Sequence, residues 1–172
     1  MKKIVFIIIL SATVSNSQKL VKYIDTMEDK TYWLVSDSPI YSDNDKNGFI
    51  LNPAFKYPSQ EPIFKGLAVE VFGWSCVEEV KLTIQFEDKS KIAIVSWNDF
   101  NCKGNAWYKF SKKEMDQLKT KPILRVRLTN GSDVTQSYTF NSTDPDYYIN
   151  LVEEIKAKRF TVIEEWFLLV QG

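Results

Sequence analysis

Oxygen-bearing side chains at alternate positions of a short turn are what a calcium ion requires, and Asp43-Asn44-Asp45-Lys46-Asn47-Gly48 has the first half of that pattern. Ile50 supplies the apolar residue usual two places after the glycine. The second half fails, because Ala54, preceded by Pro53, stands where a bidentate carboxylate is needed. Asp43, Asp45 and Asn47 are therefore candidates for a weak calcium site at best, and a plain polar turn is the competing reading. A second constellation lies between two tryptophans, Trp97 and Trp107, where Asp99, Asn101, Lys103 and Asn105 alternate along one loop. Indole faces stack on the apolar faces of sugar rings while amides and a carboxylate bond the hydroxyls, so these residues suit a glycan-binding surface. The plainer alternative has one indole packing over a disulfide and the amides capping a tight loop.

Catalytic patterns are incomplete. Glu78-Glu79 and Glu164-Glu165 are adjacent carboxylates of the kind glycoside hydrolysis employs in pairs, yet neither sits in a recognisable site pattern. Ser111-Lys112-Lys113 lacks S-x-x-K spacing, and its serine reads better as a helix cap. No glycine-rich phosphate loop is present. The chain has no histidine, which removes Ser-His-Asp and Cys-His catalysis, histidine-ligated zinc and histidine pH sensing. Its two cysteines, Cys76 and Cys102, thus lack partners for catalysis or metal binding, and the remaining reading is a disulfide. Asn130-Gly-Ser and Asn141-Ser-Thr are glycosylation sequons, relevant in a eukaryotic host.

The start of the chain supports an oxidising destination. Lys2 and Lys3 precede the apolar run 4–10, and small polar residues lead to Ser15-Asn16-Ser17, the order of a secretory leader. The run is shorter than the roughly 20 residues that span a bilayer. The expectation is a signal peptide over 1–17 and a single exported domain over 18–172, secreted or periplasmic, with no transmembrane segment in the mature chain. Lysine plus arginine equals aspartate plus glutamate at 22 each, and removing Lys2 and Lys3 leaves 20 against 22, a net of about −2. A nucleic-acid binder normally shows a basic excess, so nucleic acid is not expected as a partner.

The elements that must hold these residues are read from periodicity. Over 80–86, Val80, Leu82, Ile84 and Phe86 alternate with Lys81, Thr83 and Gln85. Strands are also expected at 32–35, 49–51, 66–74, 91–97, 106–110, 122–129 and 134–140. Asn130-Gly131 favours a two-residue hairpin turn. Pro53, Pro58 and Pro62 argue against a central strand over 52–62. Ser111 with Glu114 forms a capping box, and Phe110 with Met115 a hydrophobic staple, for a helix over 111–120. Asp144-Pro145 reads as the start of a second helix whose stripe is Tyr148, Leu151, Val152 and Ile155. Leu20, Tyr23, Ile24 and Met27 have helical spacing without a cap and stay undecided. The apolar segment 160–170 is a terminal helix or strand packed on the body, or else a docking surface.

The motifs Leu82-x-Ile-x-Phe-x-Asp88-x-Ser-Lys91, Trp97-Asn98, Phe100-Asn-Cys-Lys-Gly104, Leu118-Lys-Thr-Lys121 and Arg127-Leu-Thr-Asn-Gly131 resemble a group of small exported proteins of Bacteroidetes-type bacteria. That resemblance covers roughly 74–131 and implies an exported β-rich domain, with no activity, cofactor or catalytic residue attached. The expectation is a mainly β, antiparallel, sandwich-like domain with one short inserted helix and a C-terminal helix. Its expected function is non-enzymatic binding or structure, with a protein or glycan partner. A glycan-binding module using Trp97 and Trp107 is the first alternative, and a carboxylate-pair hydrolase the second.

Overall fold

The structure is a computed structural model that describes residues 19–25, 30–35, 38–43, 46–56, 60–74, 76–97, 102, 104–131, 136–158 and 161–168. The expected leader, 1–17, lies outside the described residues. In chain order the elements are β1 (Lys19–Asp25), β2 (Lys30–Val35), β3 (Ile40–Ser42), β4 (Gly48–Phe55), β5 (Phe64–Phe72), β6 (Lys81–Phe86), β7 (Lys91–Val95) and β8 (Asn105–Lys109). They continue with α1 (Lys112–Leu118), β9 (Ile123–Thr129), β10 (Ser137–Asn141), α2 (Tyr147–Lys156) and β11 (Thr161–Leu168). A first antiparallel sheet runs β3-β4-β5-β8 and a second runs β10-β9-β6-β7. A third, smaller sheet, β11-β1-β2, is mixed, since β1 pairs parallel with β11 and antiparallel with β2.

Two-residue alternation places one side of each large sheet inside. Leu82, Ile84 and Phe86 on β6 join Val126 and Leu128 on β9 in one core with Phe49, Leu51, Leu67, Val69 and Tyr108 from the first sheet. Burying each such side chain contributes about 1.5–3 kcal/mol, which orients the faces of the sandwich. The flanks also meet. On one, Phe49 of β4 lies 5.8 Å from Phe140 of β10, and Trp74 stacks on Tyr138 at 4.8 Å. On the other, the Trp97 backbone N–H, just past β7, donates to the Trp107 carbonyl of β8 at 3.1 Å.

Cys76 and Cys102 are bonded to each other. Cys76 lies where the chain crosses from β5 to β6 and Cys102 where it crosses back from β7 to β8, so the bridge ties the two crossings between the large sheets. Among the described residues no helix is long and apolar enough to cross a membrane.

Both helices close the same core. Ser111 caps α1: its hydroxyl accepts from the Glu114 N–H and the Glu114 carboxylate accepts from the Ser111 N–H. Phe110 and Met115 are buried together in the core, as the staple requires. The second helix starts later than its sequence suggests. Asp146 is the N-cap, while Pro145 lies before it and uses its carbonyl to accept from the Ile123 N–H. Tyr148 of α2 stacks on Phe64 at 5.9 Å and donates to the Leu51 carbonyl at 2.9 Å.

Two further expectations are corrected. Pro53 does sit in β4, paired with Leu67. The Leu51 N–H points away from β5, to the Pro39 carbonyl, and by two-residue periodicity position 53 points the same way, where β3 has already ended. The missing proline N–H is therefore not one the β4–β5 ladder needs. Asn130-Gly131 does not form a two-residue turn either, because β9 and β10 close at Thr129↔Ser137 and the Asn130 N–H donates to the Gln136 carbonyl. Asn130 instead turns to the β5–β6 crossing, accepting from the Glu78 N–H at 2.8 Å and donating to the Cys76 carbonyl at 3.1 Å. The Gly131 N–H reinforces this contact by donating to the Glu78 carbonyl.

The undecided segment near the start is β1, and the apolar segment near the end is β11, its parallel partner.

Candidate functional site

The outward face of the first sheet carries a cleft of about 520 Å³. Register explains its shape. Asn52, Ala68 and Trp107 form one cross-strand row over β4, β5 and β8, with the pair Glu70 and Asn105 in the next row. Ala68, the smallest member, is flanked by larger side chains, so the middle of the row is a depression. Strand β2 of the third sheet supplies the opposite wall with Thr31, Trp33 and Val35. From Asn52 to Trp107 the row spans two strand spacings, about 10 Å, and from Trp107 to Asn105 is about 7 Å along the strand.

Polar and aromatic groups converge here. Asn52, Lys56, Glu70 and Asn105 provide amide and charged groups, while the Phe55 ring packs 6.3 Å from Phe64 against the core. Trp33 is 7 % exposed, whereas Trp107 is 45 % exposed and belongs to the open rim. A half-exposed indole beside hydrogen-bonding side chains is the arrangement that stacks on a ring with an apolar face and bonds its polar edge.

Of the residues singled out in the bridge loop, Asn105 and Trp107 are brought together in this cleft. Trp97, at 70 % exposure, is tied to Trp107 through the backbone but is not among the cleft's lining residues. Asp99, Asn101 and Lys103 lie outside the described residues. The disulfide beside them is formed, and neither tryptophan is buried beneath it.

The segment with the calcium-like start is the turn of the β3–β4 hairpin, closed by Ser42↔Gly48. Asp43 is exposed, and the Asn47 side-chain oxygen accepts from the Tyr138 hydroxyl at 3.4 Å. Burial and the nearby Asp43 carboxylate push the Tyr138 hydroxyl up from its ordinary range. Asp45 lies outside the described residues. Gly48 is needed for close approach, since a Cβ there would meet the Tyr41 carbonyl oxygen at 2.1 Å. Among the described residues no group of three or more His, Cys, Asp or Glu gathers to hold a metal.

Glu78 and Glu79 are not among the described residues that line the cleft. Glu78 and Glu79 are exposed on the β5–β6 crossing, with Glu79 at φ +46°. Glu164-Glu165 fall in β11, whose side chains lie outside the description. Among the described lining residues, Glu70 is the carboxylate.

Sequence reasoning missed Thr31, Trp33, Asn52 and Glu70. The alternation over 66–74 does place Ala68 and Glu70 on the face opposite Leu67 and Val69, which is a signal for Glu70 alone of this set. Nothing local says that β2, more than thirty positions earlier in sequence than β5, stands over that face. The chain matches no protein-family model, no curated protein and no solved structure.

Proposed function

We propose that the protein is a non-enzymatic binding domain of an extracytoplasmic compartment, and that it takes a saccharide in the cleft on the first sheet. The observation that carries the reading is Trp107, a half-exposed indole on the rim of a cleft whose polar side chains include Asn52, Glu70 and Asn105. The disulfide between the sheet crossings supports the compartment, because such bonds persist where the surroundings are oxidising.

The test is a titration of neutral oligosaccharides against the protein, followed by tryptophan fluorescence and calorimetry. A saturable fluorescence change is expected, with affinity falling about ten-fold or more in Trp107→Ala, the scale of a buried aromatic anchor. Trp97→Ala should leave affinity within about three-fold, under 1 kcal/mol, because that residue does not line the cleft. A panel that produces no saturable signal, or a Trp107→Ala chain that binds as tightly as the native one, would remove the saccharide reading. Release of reducing ends during the titration would replace binding with hydrolysis.

A further inference from the structure

The second sheet presents a different surface to solvent. Its outward positions on β6, β7, β9 and β10 carry Lys81, Lys91, Arg125 and Arg127, and none of those outward positions is an aspartate or glutamate. All four cations are exposed. Register gathers them: Arg125 and Lys91 flank Gln85 in one cross-strand row, while Arg127 lies between Thr139 and Thr83 in the next. Arg125 and Arg127 are therefore about 7 Å apart along β9, with Lys91 about 10 Å from Arg125 across the strands.

The two guanidinium groups are already oriented. Arg125 Nε donates to Gln85 Oε1 at 2.6 Å, and Arg127 Nε donates to Thr139 Oγ1 at 2.9 Å. Each uses one N–H within the sheet, and the remaining amino groups form the fork that matches a sulfate or carboxylate. Among the described residues no carboxylate pairs with any of the four cations.

We propose that this face is a second binding surface, distinct from the cleft, whose ligand is an acidic polysaccharide carrying sulfate or carboxylate groups. Charge complementarity favours a polyanion, whose binding releases the counterions that otherwise screen these exposed cations. The interleaved hydroxyl and amide groups suit a chain rich in hydroxyls. Nucleic acid is disfavoured by the same face, because its outward positions carry no aromatic side chain on which a base would stack.

The experiment measures retention and affinity of the full chain on dextran sulfate, on unmodified dextran and on a duplex DNA oligomer, across salt from about 50 to about 200 mM, the range over which phosphate contacts are lost. Binding to dextran sulfate that weakens as salt rises is expected, while any retention on unmodified dextran, a neutral sugar open to the cleft alone, should be insensitive to salt and to the loss of the four cations. The double variant R125Q/R127Q should bind at least ten-fold more weakly and with a salt slope reduced by about half, two of the four cations being removed. K81Q/K91Q removes the other pair from different strands and should have the same effect, which keeps the test decisive if one variant does not fold. K112Q/K113Q, on the exposed start of α1, should bind as the native chain does.

Failure of dextran sulfate to bind would overturn the proposal, as would an equal loss in K112Q/K113Q. DNA bound as tightly as dextran sulfate would overturn the polysaccharide assignment. None of these outcomes bears on the saccharide cleft, which is tested with neutral sugars.

Discussion

Replacing both cysteines by serine, C76S/C102S, isolates what the bridge between the two sheet crossings contributes. The bonded residues are 26 positions apart and enclose the β6–β7 hairpin. The loop-closure entropy denied to the unfolded chain by a link of that span corresponds to about 3.5 kcal/mol near room temperature. The native state should lose little beyond this. Val77 and Val80 are buried on either side of the crossing, and Asn130 still holds the Cys76 carbonyl and the Glu78 N–H when the sulfurs are gone. The variant is thus expected to fold to the same sandwich and unfold more easily. Urea titration followed by far-ultraviolet circular dichroism should give a stability loss of about 3–4 kcal/mol, with a steeper denaturant dependence because its unfolded chain is more expanded. In thermal scans that corresponds to a Tm lower by about 7–14 °C for a chain of this size. A loss below about 1 kcal/mol with unchanged denaturant slope would refute the reasoning, since the bridge would then restrict nothing in the unfolded chain. Free thiols in the native protein would refute it more directly.

Other consequences follow from contacts between distant segments. Asn130→Ala removes three side-chain hydrogen bonds, to Glu78, Cys76 and Gln136, and should cost about 1–3 kcal/mol in urea titration; a cost indistinguishable from zero would mean that the crossing does not depend on this side chain. Asp88 gives an acid-side signature. Its hydrogen bond from Lys121, followed by those from Ser90, lowers its carboxyl from the ordinary 3.8 to about 2. A depressed carboxyl contributes stability that is fully present above its unfolded value and is lost as pH falls through the folded one, here between about 4 and about 2. Asp88→Asn should flatten the native chain's pH dependence across that window alone, as read by denaturant titration at successive pH values. The group is exposed and screened by water, so the effect is small, and an unchanged pH profile in the variant would remove the assignment.

Much of the architecture follows from local pattern. The alternations in β6, β7 and β9, the reciprocal capping of Ser111 with Glu114, and the pairing of the only two cysteines are each set by neighbouring residues or by elimination, and each is present in the fold. Leu20, Tyr23 and Ile24 defeated the same reasoning. Helical spacing in so short a segment competes poorly with a strand that gains partners on both edges, and one of those partners, β11, lies at the far end of the chain. Asn130-Gly131 misled for a related reason, because bonds to a segment more than fifty residues earlier outweighed the turn that the dipeptide forms in isolation. Pro53 was excluded from a strand by a rule that holds for interior ladders, and only the early end of β3 makes its position a local edge.

For the sites the division is sharper. Trp107 and Asn105 were marked by residue type, and Arg125 and Arg127 were already opposite Leu128 and Val126 by alternation. That the first pair opens onto a cleft roofed by β2, and that the second pair meets Lys81 and Lys91 without an intervening carboxylate, depends on strand order. Period and capping are properties of a few consecutive residues, so the amino-acid order alone determines them. Which strands lie side by side depends on the burial of all their inward faces at once, and that decision is made only when the whole core closes.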